Sequence, residues 1–174
     1  GELFANRFLG EFHAGSGGRG TVYRAQDQST GEPVALKLLH ESANETAAFR
    51  FMREASLLAE LIHPNIVRYV DHGRTRDGRF YLAMEWLSGS DLETRLEHGP
   101  LSLDETLLLL RLAASALDAA HRRNIVHRDL KPSNLFLRDG QIDRLVLLDF
   151  GIARKGFGGE ALTSTGMLIG TPRY

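Results

Sequence analysis

Alternation between apolar and polar positions opens the chain. Phe8, Leu9 and Phe12 stand among polar neighbours over residues 1–14 and predict a strand. Thr21-Val22-Tyr23-Arg24-Ala25 alternates again and is rich in residues that suit a pleated surface, so a second strand is expected there. A turn at Ser29-Thr30-Gly31-Glu32-Pro33 leads to Val34–Leu39, apolar on both strand faces, with Lys37 predicted to be buried along its stem. From about Thr46 to Ile62 the period changes to helical, and Phe51, Ala55, Leu58 and Ile62 form the expected core stripe with Glu54 on its edge. Pro64 ends that helix. Two strands follow, Val67–His72 and Arg79–Met84, joined by a hairpin turn at Arg76-Asp77-Gly78. Glu85–Ser90 loses periodicity and reads as a linker.

Helical periods dominate next. Asp91–His98 is a short helix stopped by Gly99-Pro100. Ser102-Leu103-Asp104-Glu105 is a capping box opening a long helix to about His121, with Leu103, Leu107, Leu110, Ala114 and Leu117 expected on its core face. Further on, Leu135-Phe136-Leu137, a turn at Asp139-Gly140 and Leu145-Val146-Leu147-Leu148 predict a hairpin of short apolar strands. Ile152–Thr165 is glycine-rich with little periodicity and is expected to be mobile.

Composition narrows the classes. At 174 residues and 43% hydrophobic content the chain can bury a sizeable core. A formal net charge of −1 gives no reason to expect nucleic acid or an anionic membrane as partner. The absence of cysteine excludes disulfides and thiolate zinc sites and fits a reducing compartment, which points to the cytoplasm. The apolar run at Leu107–Leu110 is broken by Arg111, so neither a membrane span nor a signal peptide is expected.

The chemistry concentrates in His127-Arg128-Asp129-Leu130-Lys131-Pro132-Ser133-Asn134 and in Asp149-Phe150-Gly151. Pro132 keeps Asp129 and Asn134 off a shared regular helix. Polar groups converging on a loop suit a ligand. The predicted hairpin returns Asp149 to the side of Asn134, and two oxygen donors beside a lysine and a carboxylate suit Mg²⁺ with a phosphate. Upstream, Gly15-Ser16-Gly17-Gly18-Arg19-Gly20-Thr21-Val22 is a G-x-G-x-x-G-x-V pattern. Alone it is weak, since a dinucleotide site uses similar glycines and a plain flexible hairpin would too. A dinucleotide site, however, has a helix after its glycines, and here a strand follows. A buried Lys37 needs an anionic partner, and Glu54 can supply it. The histidines lack H-E-x-x-H spacing, and His127 is read as a packed loop residue rather than a base.

These blocks resemble the catalytic loop (H-R-D-L-K-P-x-N) and D-F-G segment of eukaryotic-like, Hanks-type serine/threonine protein kinases, and look closest to the bacterial ones, with no departure at a catalytic position. The resemblance implies an α+β, protein kinase-like two-lobed fold: a small antiparallel sheet lobe with one helix over residues 1–84, a hinge at 85–90, and part of a mainly helical lobe over 91–174. It implies ATP and Mg²⁺ as ligands. Asp129 would orient the substrate hydroxyl, Lys131 would neutralise the moving phosphoryl group, and Asn134 with Asp149 would hold the metal. Gly15, Gly17, Gly20, Val22, Ala35, Lys37, Glu54, Met84, Glu85, Leu87 and Phe136 would line the ATP site, with Met84 as gatekeeper. His63-Pro64-Asn65-Ile66-Val67 also fits the family. Arg19 departs from it, standing where an aromatic residue or methionine is commoner.

Lys131 and Gly170-Thr171-Pro172 are serine/threonine-type features, and protein Ser/Thr hydroxyls are the expected acceptors. Thr163 and Thr165 are candidate phosphorylation sites in the activation segment, with Arg128 as phosphate partner. Autophosphorylation would bring in a homodimer. A non-catalytic, pseudokinase-like ATP-binding scaffold is the alternative, disfavoured because Lys37, Asp129 and Asp149 all stand. A complete kinase continues past Tyr174, so the resemblance predicts a longer parent and a 174-residue piece that is unstable and weakly catalytic by itself.

Overall fold

The computed structural model describes residues 1–17, 20–39 and 45–150. Its described residues fall into two compact units, one of Gly1–Glu60 with Arg68–Leu87 and one of Leu61–Val67 with 88–150.

The first unit is built on alternation. β1 (Leu3–Phe4), β2 (Phe8–Gly17), β3 (Gly20–Asp27), β4 (Pro33–Leu39), β5 (Tyr69–Arg74) and β6 (Phe80–Glu85) form an antiparallel sheet of order β1-β2-β3-β4-β6-β5. Val34, Leu36 and Leu38 bury one face of β4, where they join Phe4, Phe8 and Ala83 in a core cluster. Opposite residues of an antiparallel pair share a face. Val22 pairs with Lys37, Ala35 with Met84 and Lys37 with Leu82, so the other face carries Val22, Ala35, Lys37, Leu82 and Met84. Phe80 lies on that face too, and Phe51 of α1 (Glu45–Ala59) packs on it at 4.9 Å between ring centroids.

Phe51, Ala55 and Leu58 are buried as the helical period requires. Ile62 is not. The helix ends at Ala59, the period lapses before Pro64, and Ile62 is 85% exposed while Leu61 turns inward.

A charged lock joins distant parts of this sheet. Arg7, in the turn after β1, donates from Nε and Nη2 to the Asp27 carboxylate at 2.9 and 2.7 Å, and from Nη1 to Asp71 at 3.0 Å. Ser29 donates to Asp27 from both its backbone N–H and Oγ. The Tyr81 hydroxyl donates to Asp71 at 3.1 Å. Burial, and then the Asp71 charge, push the Tyr81 phenol up to about 12. The hydrogen bonds from Arg7 hold the Asp27 carboxyl well below the usual carboxylate range.

The second unit combines helices with a small sheet. α2 (Leu92–Leu96) is capped by Asp91, and α3 (Leu103–His121) starts at the predicted capping box, with Ser102 and Glu105 satisfying one another's backbone N–H groups. β7 (Gly89–Asp91), β8 (Leu135–Arg138) and β9 (Leu145–Leu147) form an antiparallel sheet of that order. β7 replaces the end of the expected Glu85–Ser90 linker. Its residues have no apolar period because pairing with β8, not a buried face, makes them a strand.

The core face of α3 also differs from expectation. Leu109, Ala113, Ala116 and Ala120 are buried, whereas Leu103, Leu107 and Leu110 are 74%, 56% and 57% exposed, Ala114 is exposed and Leu117 half-buried. Leu109 and Leu110 differ by one residue, about 100° around the helix axis. The helix approaches its neighbours on its alanine side, where small residues permit close packing, and leaves the leucine stripe outside.

Loss of the Arg7 lock has a measurable cost. Arg7→Leu leaves the Asp27 carboxylate buried without its guanidinium and is expected to cost about 3 kcal/mol in urea denaturation. A carboxyl held below its ordinary value stabilises the fold above the unfolded-state value and loses that contribution as pH falls. The native protein should therefore lose more stability than Asp27→Asn between about pH 5 and pH 2. Equal pH dependence in the two proteins would refute the assignment.

Candidate active site

In the second unit the chain leaves α3, passes Asn124 in a left-handed conformation (φ 58°) and enters the polar loop. Here the backbone makes a second left-handed excursion at Arg128 (φ 62°), and Asp149 makes another (φ 51°). Such a conformation in a residue with a side chain costs of order 1–2 kcal/mol. It re-aims the neighbouring side chains. Each polar motif contains one such residue, and Ala5, Asn6 and Asp139 are others elsewhere in the chain.

Asp129 is 4% exposed. The Lys131 ammonium stands 3.6 Å from its Oδ2, and the Asn134 amide donates to the Asp129 carbonyl at 2.7 Å, with a longer contact of 3.4 Å to Oδ2. Pro132–Asn134 is one turn of 3-10 helix, the local form proline tolerates at its start, and both Lys131 and Asn134 reach Asp129 Oδ2 from it. Both contacts of the Asn134 side chain use its NH₂ group, which turns its Oδ1, a hard oxygen of the kind Mg²⁺ takes, to the other side.

The return of Asp149 follows from backbone bonds. β8 and β9 pair from Leu135–Leu147 to Leu137–Leu145. The N–H of Leu148 donates to the Asn134 carbonyl at 2.9 Å, and the Leu148 carbonyl accepts from His127 Nε2 at 2.8 Å. Nδ1 of His127 faces the Asp129 N–H at 3.4 Å, so the imidazole is neutral and carries its proton on Nε2. Burial holds His127 below its ordinary value. Phe150 is buried against the same ring, 4.6 Å between centroids. His127 is thus a packed strut, as its sequence context suggested.

In the first unit Lys37 is half-buried in the middle of β4, with Ala35 and Val22 beside it on one face. Glu54 is half-buried on α1, one turn from Phe51, the residue that seats the helix on this face. Met84 is 7% exposed. The glycines at the β2–β3 end differ in cause. A Cβ at Gly20 would fall 2.4 Å from the Leu38 carbonyl oxygen, so packing within the sheet excludes any side chain. At Gly15 a Cβ would meet nothing within 4 Å among the described residues, so packing does not explain that glycine.

Known proteins share this arrangement. Residues 11–174 match the family model described as the protein kinase domain. The chain belongs to the protein kinase domain family. It is 37% identical over 182 residues to the serine/threonine-protein kinase pkn3 of Myxococcus xanthus, covering 100% of this chain and 33% of that protein. Over 178 residues it is 38% identical to the serine/threonine-protein kinase PknJ of Mycobacterium tuberculosis, covering 100% of this chain and 30% of that protein. Its fold matches the crystal structure of the M. tuberculosis PknI kinase domain with a TM-score of 0.78 at 32% identity, over 87% of this chain and 61% of that one. The chain therefore spans about a third of the length of these curated relatives and under two thirds of that kinase domain.

Within this kinase domain chain, each unit gathers its own part of the expected set. Asp129, Lys131 and Asn134 come together in the second unit, with Asp149 one residue past the Leu148 tie and Phe136 half-buried on β8. Val22, Ala35, Lys37 and Met84 share a face in the first, with Glu85 and Leu87 half-buried at and after the end of β6. Arg19, Thr163, Thr165, the 152–165 stretch and Gly170-Thr171-Pro172 lie outside the described residues. The role of Leu148 was missed from the sequence, and no side-chain signal could have found it, because its contribution is made entirely by its backbone N–H and C=O.

His127 yields a pH prediction. Its neutral form is favoured in the fold, so the unfolded chain takes up the proton first, and stability falls as pH drops below the ordinary imidazole value of about 6.5. Followed by NMR, the His127 ring should titrate with a midpoint below about 6.5. A midpoint above that would rule out the buried neutral strut.

Proposed function

We propose that this chain carries the catalytic machinery of an ATP-dependent protein serine/threonine kinase. The observation that carries the reading is the buried Asp129 carboxylate flanked by the Lys131 ammonium at 3.6 Å and the Asn134 amide, with Asp149 returned to Asn134 by the Leu148 tie. Phosphoryl transfer asks a protein for positioning and charge neutralisation rather than covalent chemistry, and this set supplies both.

Asp129 accepts the proton of a Ser or Thr hydroxyl as that oxygen bonds to the γ-phosphorus and the bond to the β–γ bridging oxygen breaks, releasing ADP. Lys131 balances charge on the moving group. Asn134 through Oδ1 and Asp149 through its carboxylate are the residues that would hold Mg²⁺, which when bound neutralises phosphate charge. Lys37, oriented by Glu54, holds the non-transferred phosphates. Gly15, Gly17 and Gly20 let backbone N–H groups approach them, and Val22, Ala35, Met84, Glu85, Leu87 and Phe136 receive the base. Protein hydroxyls are the acceptors, those of Thr163 and Thr165 on the same protein among them, and a homodimer is the arrangement for that self-transfer. The work is placed in the cytoplasm, consistent with the absence of cysteine. Among the described residues no helix is long and apolar enough to cross a membrane.

Transfer of labelled γ-phosphate from Mg-ATP to the protein itself and to a generic basic protein tests the reading. The parent protein should transfer, and Asp129→Asn should lose about 10²–10⁴-fold in kcat. ATP binding without transfer by the unaltered parent would instead make this a non-catalytic scaffold. Phosphopeptide mapping of active protein should find phosphate on Thr163 or Thr165. A map with none between Ile152 and Thr171 would remove the proposed activation-segment sites.

A further inference from the structure

The face of the sheet that bears Lys37 continues past Val22 and Ala35. Arg24 stands opposite Ala35, and Phe12 opposite Arg24, so both lie on that face at its outer end. There the Arg24 guanidinium sits over two rings, 5.9 Å from the Phe12 centroid and 5.6 Å from that of Trp86. The rings meet edge-on, 5.9 Å apart and inclined at 84°. Glu11 accepts a hydrogen bond from Arg24 Nη1. Phe12 is 51% exposed, so burial alone does not account for an aromatic residue there. Trp86, the one tryptophan of the 174 residues, lies between Glu85 and Leu87.

The three side chains come from elements that must act on one ligand. β2 and β3 are the two arms of the glycine hairpin, and Trp86 follows directly on β6. A nucleotide held by both the hairpin and residues 84–87 binds only as well as those elements are held relative to each other. A guanidinium stacked on one ring from each element, with the rings themselves in an edge-to-face pair, joins them through interactions that survive partial exposure.

We propose that Phe12, Arg24 and Trp86 form a clasp that sets ATP affinity, with Arg24 as a positioning residue that acts through the hairpin and the Trp86 segment. This inference rests on the kinase reading above. It requires that loss of the clasp weaken nucleotide binding without slowing transfer once ATP is bound. It also requires that nucleotide binding alter the surroundings of the Trp86 indole.

The test uses the parent protein and its Phe12→Ala, Arg24→Gln, Phe12→Tyr and Trp86→Phe variants. KM for ATP and kcat are measured for transfer to a basic protein, and Trp86 emission, isolated by difference from Trp86→Phe, is followed during titration with ADP. Phe12→Ala and Arg24→Gln should raise KM about 3–10-fold with kcat within about twofold, and Phe12→Tyr, which keeps the ring, should restore KM. Trp86 emission should change saturably with ADP. An unchanged KM in both loss variants, a fall in kcat without a rise in KM, or emission indifferent to ADP would overturn the clasp while transfer by the parent upheld the kinase reading. A parent that transfers nothing yet shows the saturable emission change, weakened in Phe12→Ala, would overturn the kinase reading and uphold the clasp.

Discussion

The two backbone groups of one residue hold the polar loop to the segment that follows it. The N–H of Leu148 is bonded to the Asn134 carbonyl and its C=O to the His127 imidazole, so the two ends of the polar loop are pinned to the residue that precedes Asp149. His127 and Asn134 are 2% and 6% exposed, so water competes poorly for these bonds. The tie in turn rests on β9. Leu147 donates to the Asn65 carbonyl and accepts from Val67 N–H, while the Asn65 side chain donates to the Leu145 carbonyl. A segment eighty residues upstream thereby fixes the strand that carries Asp149. The left-handed backbone at Arg128 and Asp149 persists because its surroundings are over-determined in this way.

The first unit solves a different problem. A strand in mid-sheet must carry a lysine without losing its core. β4 does so by alternation: Val34, Leu36 and Leu38 are committed to the buried cluster, and Lys37 is left on the opposite face beside Ala35. Phe51 against Phe80 then seats α1 on the same face as Lys37, which brings a helix carrying Glu54 to the lysine's side of the sheet. The Arg7 lock gathers β3, β5 and β6 from outside the core, so the sheet's register does not depend on apolar packing alone.

What was legible in the sequence follows from the same physics. The strands around the glycines, the capping box at Ser102, the absence of a regular α-helix across Pro132 and the return hairpin were readable because each depends on local propensity or period. The buried side of α3 was not. With leucines at 103, 107, 108, 109, 110, 112 and 117, more than one face was apolar, and the choice between them was made by the close approach that Ala113, Ala116 and Ala120 allow. β7 was hidden for a related reason, since Gly89-Ser90-Asp91 becomes a strand only through its partner β8. Polar locks between distant residues left no trace either: Arg7 and Asp71 are sixty-four residues apart, and nothing local distinguishes them from solvated charges.

The expected polar groups are divided between two units. Under the proposed kinase reading, transfer needs a nucleotide at the Lys37 face and a hydroxyl at Asp129, and each unit orders its own set by internal bonds. Pre-ordering within a unit removes the entropy of assembling side chains one at a time, which is where enzymes that do no covalent chemistry gain most. Under that reading, a substitution that loosens the Lys37 face acts on nucleotide binding and one that loosens the Asp129 set acts on transfer, each by disturbing bonds within its own unit.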